Sequence, residues 1–215
     1  MSGLGAAKKV RGALIVIEGL DRAGKSTQVS RIAQSITAKT IKFPERTTPI
    51  GKMIDSYLGK MSEMDDHAIH LLFSANRWEK VDEILRSLDD GQHVICDRYA
   101  FSGIAYSCAK GLSHDWCRSP DVGLPLPDLT LFLSLTPEVA AQRGAYGEER
   151  YEVVAIQEKV KTILSQLGSE TNVGPWQTID AGQDIDKVTE DCLAEVKKAI
   201  DSVQLKGAPI GKLFT

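Results

Sequence analysis

The chain has 215 residues, of which 42% are hydrophobic and 26% are charged, values typical of one compact globular domain. A formal net charge of -3 excludes a general electrostatic attraction to nucleic acid or acidic membranes. No run approaches the ~20 apolar residues that span a bilayer. We therefore predict one soluble domain over residues 1–215, with residues 1–10 as a flexible tail.

The cysteines indicate the compartment. They form no CxxC pair, and no signal peptide precedes them, which is typical of reduced thiols in a cytoplasmic protein. We predict a cytoplasmic location and leave a nuclear or mitochondrial pool open. The four residues are Cys96, Cys108, Cys117 and Cys192.

The first predicted elements form a strand, helix, strand unit. Residues 13–17 are a continuous apolar run, which favours a strand buried on both faces of a parallel sheet. A glycine-containing turn follows, and residues 25–38 are predicted to be a helix. Residues 41–43 form a short strand that Pro44 ends.

The middle of the chain continues this alternation. Apolar periodicity predicts helices over residues 50–58 and 66–88, the second closed by a cap at Gly91. A buried strand over residues 93–96 and a helix over residues 101–110 follow.

The last part of the chain repeats strand and helix. The predicted elements are a loop over 120–127, a strand over 129–135, a helix over 138–143, a helix over 152–167, a strand over 176–179 and a helix over 184–203. This alternation predicts an α/β fold with a central parallel sheet of about five strands and helices on both faces. The ligand site is expected at the carboxyl ends of the strands.

The strongest motif is GLDRAGKS at positions 19–26, which fits GxxxxGK[ST] between a predicted strand and a predicted helix. In such a P-loop, backbone amides surround the phosphates, the lysine reaches the β and γ oxygens, and the final hydroxyl is a ligand for Mg²⁺. The alternative, a chance glycine turn, is disfavoured by the context. The predicted ATP-binding residues here are Gly19, Leu20, Asp21, Arg22, Ala23, Gly24, Lys25, Ser26 and Thr27.

Arginines are the expected means of stabilising charge when a phosphoryl group moves to an anionic acceptor. Most arginines are solvated surface groups. Arg22, Arg46 and Arg98 differ, because each follows a predicted strand end, where the ligand is expected.

Six separated segments of the chain, between positions 12 and 158, resemble the thymidylate kinase family in its eukaryotic form. The tail PIGKLF resembles the end of the animal enzymes. The resemblance implies transfer of the γ-phosphoryl group of MgATP to dTMP, giving dTDP and ADP for dTTP biosynthesis, and a homodimer. The segments are GALIVIEGLDRAGKSTQ, KFPERTTPIGKMIDSYL, HLLFSANRWE, DRYAFSGIAY, PDVGLPLPDL and QRGAYGEERYE.

The resemblance assigns roles at the phosphate end. Asp21 is expected to accept the sugar 3′-hydroxyl of dTMP and Arg22 to contact the γ-phosphate. Arg46 and Arg98 are expected to clamp the acceptor phosphate. Asp97, together with Ser26, is expected to organise Mg²⁺; in the alternative, Asp97 caps the following helix and pairs with Arg98. The predicted catalytic residues are Arg22, Lys25, Asp97 and Arg98.

The resemblance also assigns the dTMP site. Phe73 is expected to stack on thymine and Arg77, four positions later on the same helix face, to hydrogen-bond the base. Tyr106 is expected to crowd the sugar 2′ carbon and so disfavour ribonucleotides. For Phe73, Tyr151 and Gln157 packing is the alternative. The full predicted set is Asp21, Phe43, Arg46, Phe73, Arg77, Arg98, Gly103, Tyr106, Tyr151 and Gln157.

Residues 143–151 resemble the family's lid over the phosphates. Arg143 is expected to pack on adenine. Because the P-loop already carries Arg22, Arg150 need not be catalytic, and an ion pair with Glu148 or Glu149 is its simplest interpretation. Trp78 is assigned to packing.

Three other functions remain as alternatives. A kinase of a nucleoside or of another monophosphate would lack either the acceptor clamp or the Phe73 and Arg77 pair. A GTPase-like switch would need an NKxD sequence, which is absent. An inactive binding module would be expected to have lost Arg22, Lys25 or Asp97.

Overall fold

A computed structural model describes residues 10–142 and 149–215. The predicted tail, apart from its last residue, and most of the predicted lid, including Arg143, lie outside the described residues. The elements in chain order are β1 (Leu14–Gly19), α1 (Lys25–Ile36), β2 (Lys39–Lys42), α2 (Pro49–Leu58), α3 (Asp66–Trp78), α4 (Val81–Asp89), β3 (Val94–Asp97), α5 (Ala100–Ala109), α6 (His114–Arg118), β4 (Leu129–Ser134), α7 (Pro137–Gln142), α8 (Val154–Leu167), β5 (Trp176–Asp180) and α9 (Ile185–Lys206).

The strands form one five-stranded parallel sheet in the order β2-β3-β1-β4-β5. β1 is central and pairs with β3 on one side and β4 on the other. All carboxyl ends therefore lie at one edge, where the loops after β1, β2, β3 and β5 converge. The predicted α/β fold with five parallel strands is confirmed.

Alternation along β1 divides the core into two layers. Leu14 and Val16 face a core formed with α2 to α5 and α8, whereas Ile15 and Ile17 face a core formed with α1, α7 and α9. Both faces are covered, so the strand is apolar at nearly every position. The exception is Glu18, which is fully buried.

The single helix predicted over residues 66–88 is wrong, because α3 and α4 are separate. The Asn76 side chain accepts a hydrogen bond from the Glu45 amide at 2.7 Å, and the Glu79 carboxylate accepts one from the Thr48 hydroxyl at 2.9 Å. These contacts fix the end of α3 against the loop before α2. The apolar periodicity continues through both helices, so it does not reveal the break.

Other elements also differ from the prediction, including α1, which ends at Ile36 and not at residue 38, and β2, which begins at Lys39 and not at residue 41. The short helix α6 was not predicted, and a 3₁₀ turn at Ser119–Asp121 enters the predicted loop 120–127. α9 extends to Lys206, beyond the predicted residue 203. Among the described residues, no helix is both long and apolar enough to cross a membrane.

Candidate active site

The P-loop connects the buried end of β1 to α1. Gly24 has φ 90° and Arg22 has φ 65°, so the turn passes through the left-handed region twice. No side chain caps α1, which leaves its first amides and the positive end of its dipole available to phosphate oxygens. The local geometry is that of an anion-binding loop.

Lys25 is buried within this loop and donates from Nζ to the Leu20 carbonyl at 2.6 Å. Burial lowers its pKa to about 8, and Arg98 adds to the shift, while Asp21, Asp97 and Glu18 oppose it. Its charge is therefore only partly balanced in the ligand-free protein. A bound polyphosphate would supply the missing countercharge.

Asp97 and Ser26 fit the predicted magnesium site. The Ser26 hydroxyl donates to Asp97 Oδ2 at 2.6 Å, while the buried Asp97 Oδ1 has no hydrogen-bond partner among the described residues. A carboxylate oxygen left without a donor suits a cation. One carboxylate and one hydroxyl match the small protein ligand set of Mg²⁺, which otherwise binds water and phosphate.

Arg98 follows β3 with φ 69° and crosses to the P-loop. Its guanidinium donates to the Asp21 carboxylate, to the Gly19 carbonyl at 3.0 Å and to the Ser102 hydroxyl at 3.0 Å. Arg98 thus pairs with Asp21, and the alternative in which Asp97 pairs with Arg98 and caps α5 is wrong. The α5 cap residue, Tyr99, makes no side-chain cap bond.

Asp21 is the centre of a hydrogen-bond network. Its Oδ2 accepts from the Tyr106 hydroxyl and from Gln157 Nε2, both at 2.8 Å. Burial opposes ionisation, but Arg98, Lys25 and these hydrogen bonds lower its pKa to about 2. The carboxylate is ionised and held in place across the physiological pH range.

Two other arginines bind carboxylates near the lid. Arg22 pairs with Glu152 at 3.1 Å, and Arg46 pairs with both Asp55 at 2.6 Å and Glu149 at 2.7 Å. The Arg46 side chain is 38% exposed, so it remains accessible to a ligand. Arg22 belongs to the phosphate loop itself, and Arg46 lines the same cleft.

At the other end of the cleft, Arg77 is buried and forms a two-point ion pair with Asp121, with Nη2 to Oδ2 at 2.6 Å and Nε to Oδ1 at 3.1 Å. A Cβ at Gly103 would lie 2.9 Å from both terminal nitrogens of Arg77. The absence of a side chain at Gly103 therefore leaves room for the Arg77 guanidinium. Phe73 also lines the cleft at this end.

The predicted aromatic residues pack between these ends. Tyr106 and Tyr151 stack with ring centroids 5.1 Å apart. Gln157 is buried and donates to the Tyr151 carbonyl at 2.8 Å and to the Tyr106 hydroxyl at 3.1 Å. Gln157 thus holds both tyrosines and Asp21 without lining the cleft itself.

The cleft has a volume of about 680 Å³ and lies at the carboxyl edge of the sheet. Of the predicted residues, Gly19, Leu20 and Gln157 are behind its wall, and Arg143 lies outside the described residues. The remaining predicted residues all line the cleft, namely Asp21, Arg22, Ala23, Gly24, Lys25, Ser26, Thr27, Phe43, Arg46, Phe73, Arg77, Asp97, Arg98, Gly103, Tyr106 and Tyr151.

Some lining residues were not predicted. Lys42 at the end of β2 belongs to this group, as do Glu149 and Glu152. After β5, Ala181, Gln183 and the first residue of α9, Ile185, also line the cleft. Arg46 was predicted because it follows a strand end. Ala181 and Gln183 follow the end of β5, so the same criterion would have selected them. Glu149 lies in the predicted lid, whereas no comparable sequence signal marks Glu152.

Arg150 does not make the ion pair expected with Glu149, and Glu148 lies outside the described residues. It pairs with Glu63 at 2.7 Å, and its guanidinium lies 4.2 Å from the centroid of the Tyr57 ring. The cause is that residues 150–151 turn toward α2, where the Arg150 amide bonds the Leu58 carbonyl. Trp78 is 41% exposed and donates to the Pro120 carbonyl, so it is only partly packed.

A P-loop at the carboxyl edge of a five-stranded parallel sheet, opening into a cleft with further arginines, defines a P-loop nucleotide-binding protein with room for a second ligand. The comparisons with known proteins agree. The thymidylate kinase family model matches residues 17–192. The chain belongs to the thymidylate kinase family.

Relatives from distant organisms cover nearly the whole chain. A thymidylate kinase of Homo sapiens is 49% identical over 210 residues, covering 95% of this chain and 98% of the relative. One from Schizosaccharomyces pombe is 52% identical over 188 residues, covering 84% and 90%. The solved thymidylate kinase structure from Candida albicans matches with a TM-score of 0.84 and 42% identity, covering 94% of this chain and 98% of that one.

Proposed function

We propose that this protein transfers the γ-phosphoryl group of MgATP to dTMP, giving dTDP and ADP, the step that supplies dTDP for dTTP biosynthesis. The observation that carries this proposal is that the P-loop, Arg98 and the pair Phe73 and Arg77 line one continuous cleft. A donor triphosphate and an acceptor nucleotide can therefore bind with their phosphates facing each other. That placement is what in-line transfer needs.

The donor phosphates bind the amides at the start of α1, with Lys25 at the β and γ oxygens. Arg22 lies beside them and stabilises the charge that spreads over the transferred group. Mg²⁺, held through Ser26 and Asp97, neutralises phosphate charge when bound. The buried position of Lys25 makes its contact with phosphate strong, because little water screens it.

The acceptor binds in the remainder of the cleft. Arg98 and Arg46 contact its phosphate, whose attacking oxygen is already anionic and needs no strong base. Phe73 stacks on thymine, and Arg77 donates to the base. Asp21 accepts the sugar 3′-hydroxyl, while the ring of Tyr106 leaves no space for a 2′-hydroxyl.

A coupled assay of ADP formation tests the proposal, with MgATP and the acceptors dTMP, dUMP, UMP, CMP, dGMP, AMP and thymidine. We expect a strong preference for dTMP, and loss of that activity in Arg98→Ala. Arg86→Ala is the matched control, because Arg86 is exposed and bonds only within α4 among the interactions described. Faster turnover of another monophosphate would overturn the substrate assignment.

We propose further that the protein is a cytoplasmic homodimer. Exposed apolar side chains on α2 and α3 support pairing through these helices, namely Met53, Leu71 and Trp78. Light scattering after size exclusion tests this, with Leu71→Glu expected to shift the mass toward one chain. An unchanged mass in that variant would place any interface elsewhere.

A further inference from the structure

A charged residue without an assigned role lies directly behind the acceptor-phosphate site. Glu18 is the second-last residue of the central strand β1, and it is fully buried in a segment that is otherwise apolar. It does not line the cleft. A buried carboxylate is costly unless hydrogen bonds satisfy it, so its partners indicate its purpose.

Those partners all belong to the start of α5. Glu18 Oε1 accepts from the backbone amides of Tyr99 at 2.9 Å and Ser102 at 3.0 Å, and Oε2 accepts from the Ser102 hydroxyl at 2.5 Å. The first amides of a helix lack partners within the helix. Because Tyr99 provides no side-chain cap, Glu18 performs that function from a strand far away in the sequence.

The same contacts continue to Arg98. Arg98 Nη1 donates to the Ser102 hydroxyl at 3.0 Å, and that hydroxyl donates to Glu18. Arg98 also has a left-handed backbone, φ 69°, directly before the capped amide of Tyr99. The carboxylate therefore holds both the backbone turn and the guanidinium orientation of Arg98.

Burial and hydrogen bonding have opposite effects on the Glu18 carboxyl. Burial raises the pKa of Glu18, while the cation of Arg98 and the hydrogen bonds from Ser102 and Tyr99 oppose that rise. Every described partner of Glu18 is a hydrogen-bond donor. In the ionised form, both carboxylate oxygens can therefore accept hydrogen bonds. Removing the charge of Glu18 would weaken its connection to Arg98 through Ser102 while keeping a side chain of the same size and shape.

We propose that Glu18 is a positioning residue for the acceptor phosphate, acting through Ser102 and the Arg98 turn. The proposal rests on the proposed function, in which Arg98 binds that phosphate. It predicts a selective effect, because the donor phosphates bind the other side of the P-loop. Affinity for dTMP falls when Glu18 is changed, while affinity for MgATP does not.

The test compares Glu18→Gln with the wild type by steady-state kinetics and by direct titration with dTMP. Glutamine keeps an acceptor for the two amides and removes the charge. We expect KM for dTMP to rise about tenfold and KM for MgATP to change less than about twofold. Ser102→Ala removes the hydroxyl that joins Glu18 to Arg98 and keeps the two amide contacts of Glu18. It is expected to raise KM for dTMP about threefold and tests the link if the glutamine variant folds poorly.

Thr130→Val is the matched control, since Thr130 is buried on the neighbouring strand β4 and its hydroxyl has no hydrogen-bond partner among the described residues. It is expected to leave both KM values unchanged. Wild-type KM for dTMP in both Glu18→Gln and Ser102→Ala, or equal rises for dTMP and MgATP, would overturn the proposal. A wild-type enzyme that does not use dTMP would instead overturn the proposed function.

Discussion

The two ends of the cleft hold their arginines in opposite ways. At the base end, Arg77 is 3% exposed and fixed on two atoms by Asp121, which is fully buried. At the phosphate end, Arg46 is 38% exposed and binds two exposed carboxylates, of which Glu149 lies within the predicted lid. Arg77 is therefore fixed before a ligand binds, whereas Arg46 is held by exposed ion pairs that a phosphate can replace.

The buried ion pair of Arg77 and the exposed ion pairs of Arg46 should contribute differently to folding stability and to activity. A buried, doubly bonded ion pair orders its surroundings, and breaking it leaves an uncompensated charge. Exposed ion pairs contribute little to folding and are easily exchanged. We infer that variants at the base end change folding and affinity together, while variants at the phosphate end change chemistry with little loss of stability.

The largest expected effect is at the phosphate end. Lys25→Met should lower kcat about 10³-fold, because the contact with the transferred phosphate is lost. The melting temperature of this variant should rise by about 2–4 °C. Removing a buried cation should increase its free energy of unfolding by about 1 kcal/mol. Calorimetry and the coupled assay on the same sample measure both. A lower melting temperature would contradict the view that this end favours function over stability.

The next effect concerns the buried ion pair at the base end. Asp121→Asn should lower the free energy of unfolding by about 3–5 kcal/mol, because Arg77 loses its countercharge. The matched control is Asp55→Asn, which removes an exposed partner of Arg46 and should cost less than about 1 kcal/mol. Urea unfolding of both variants measures the difference. Equal losses would remove the contrast between the two ends.

A smaller effect is expected from Gly103→Ala. The added methyl group would lie 2.9 Å from the terminal nitrogens of Arg77 and displace them from the cleft. KM for dTMP should rise about tenfold, with KM for MgATP within about twofold. Gly59→Ala is the control, because Gly59 has φ -75° and is exposed at the end of α2. An unchanged KM for dTMP would show that Arg77 is not needed at the base.

The smallest expected effect is the pH dependence of the affinity for MgATP. Since burial lowers the pKa of Lys25 to about 8, the cation is present below pH 8 and is lost above it unless phosphate binds. MgATP affinity should therefore be full at pH 7 and about fourfold weaker at pH 8.5. Titration calorimetry in two buffers should detect proton uptake on binding at pH 8.5. The Lys25→Met variant should show neither the decrease in MgATP affinity between pH 7 and pH 8.5 nor the proton uptake on binding.

The fold was largely predictable because its signals are local. Short buried runs predicted β1, β3 and β4, and the GxxxxGK[ST] spacing predicted the P-loop between β1 and α1. The division between α3 and α4 was not predictable, since it depends on Asn76 and Glu79 meeting the loop before α2. A contact between distant residues leaves no mark in the periodicity of either helix.

The site divides in the same way. Arg46 and Arg98 were found because they follow strand ends. The carboxylates that hold the arginines were missed, because Asp121 meets Arg77 and Glu152 meets Arg22 only in the folded chain. Glu18 had a weak signal, a single charge inside a buried apolar strand, whose meaning depends on α5.

The strand order has a consequence for how the chain is made. β1 emerges early from the ribosome, yet one of its two neighbours, β4, begins only at Leu129. The central strand therefore stays open along one edge until more than half of the chain has been synthesised. Such long-range pairing slows folding and exposes an apolar edge to other nascent chains. We expect the yield of folded protein during fast expression to depend on chaperones that cover β1 in that interval.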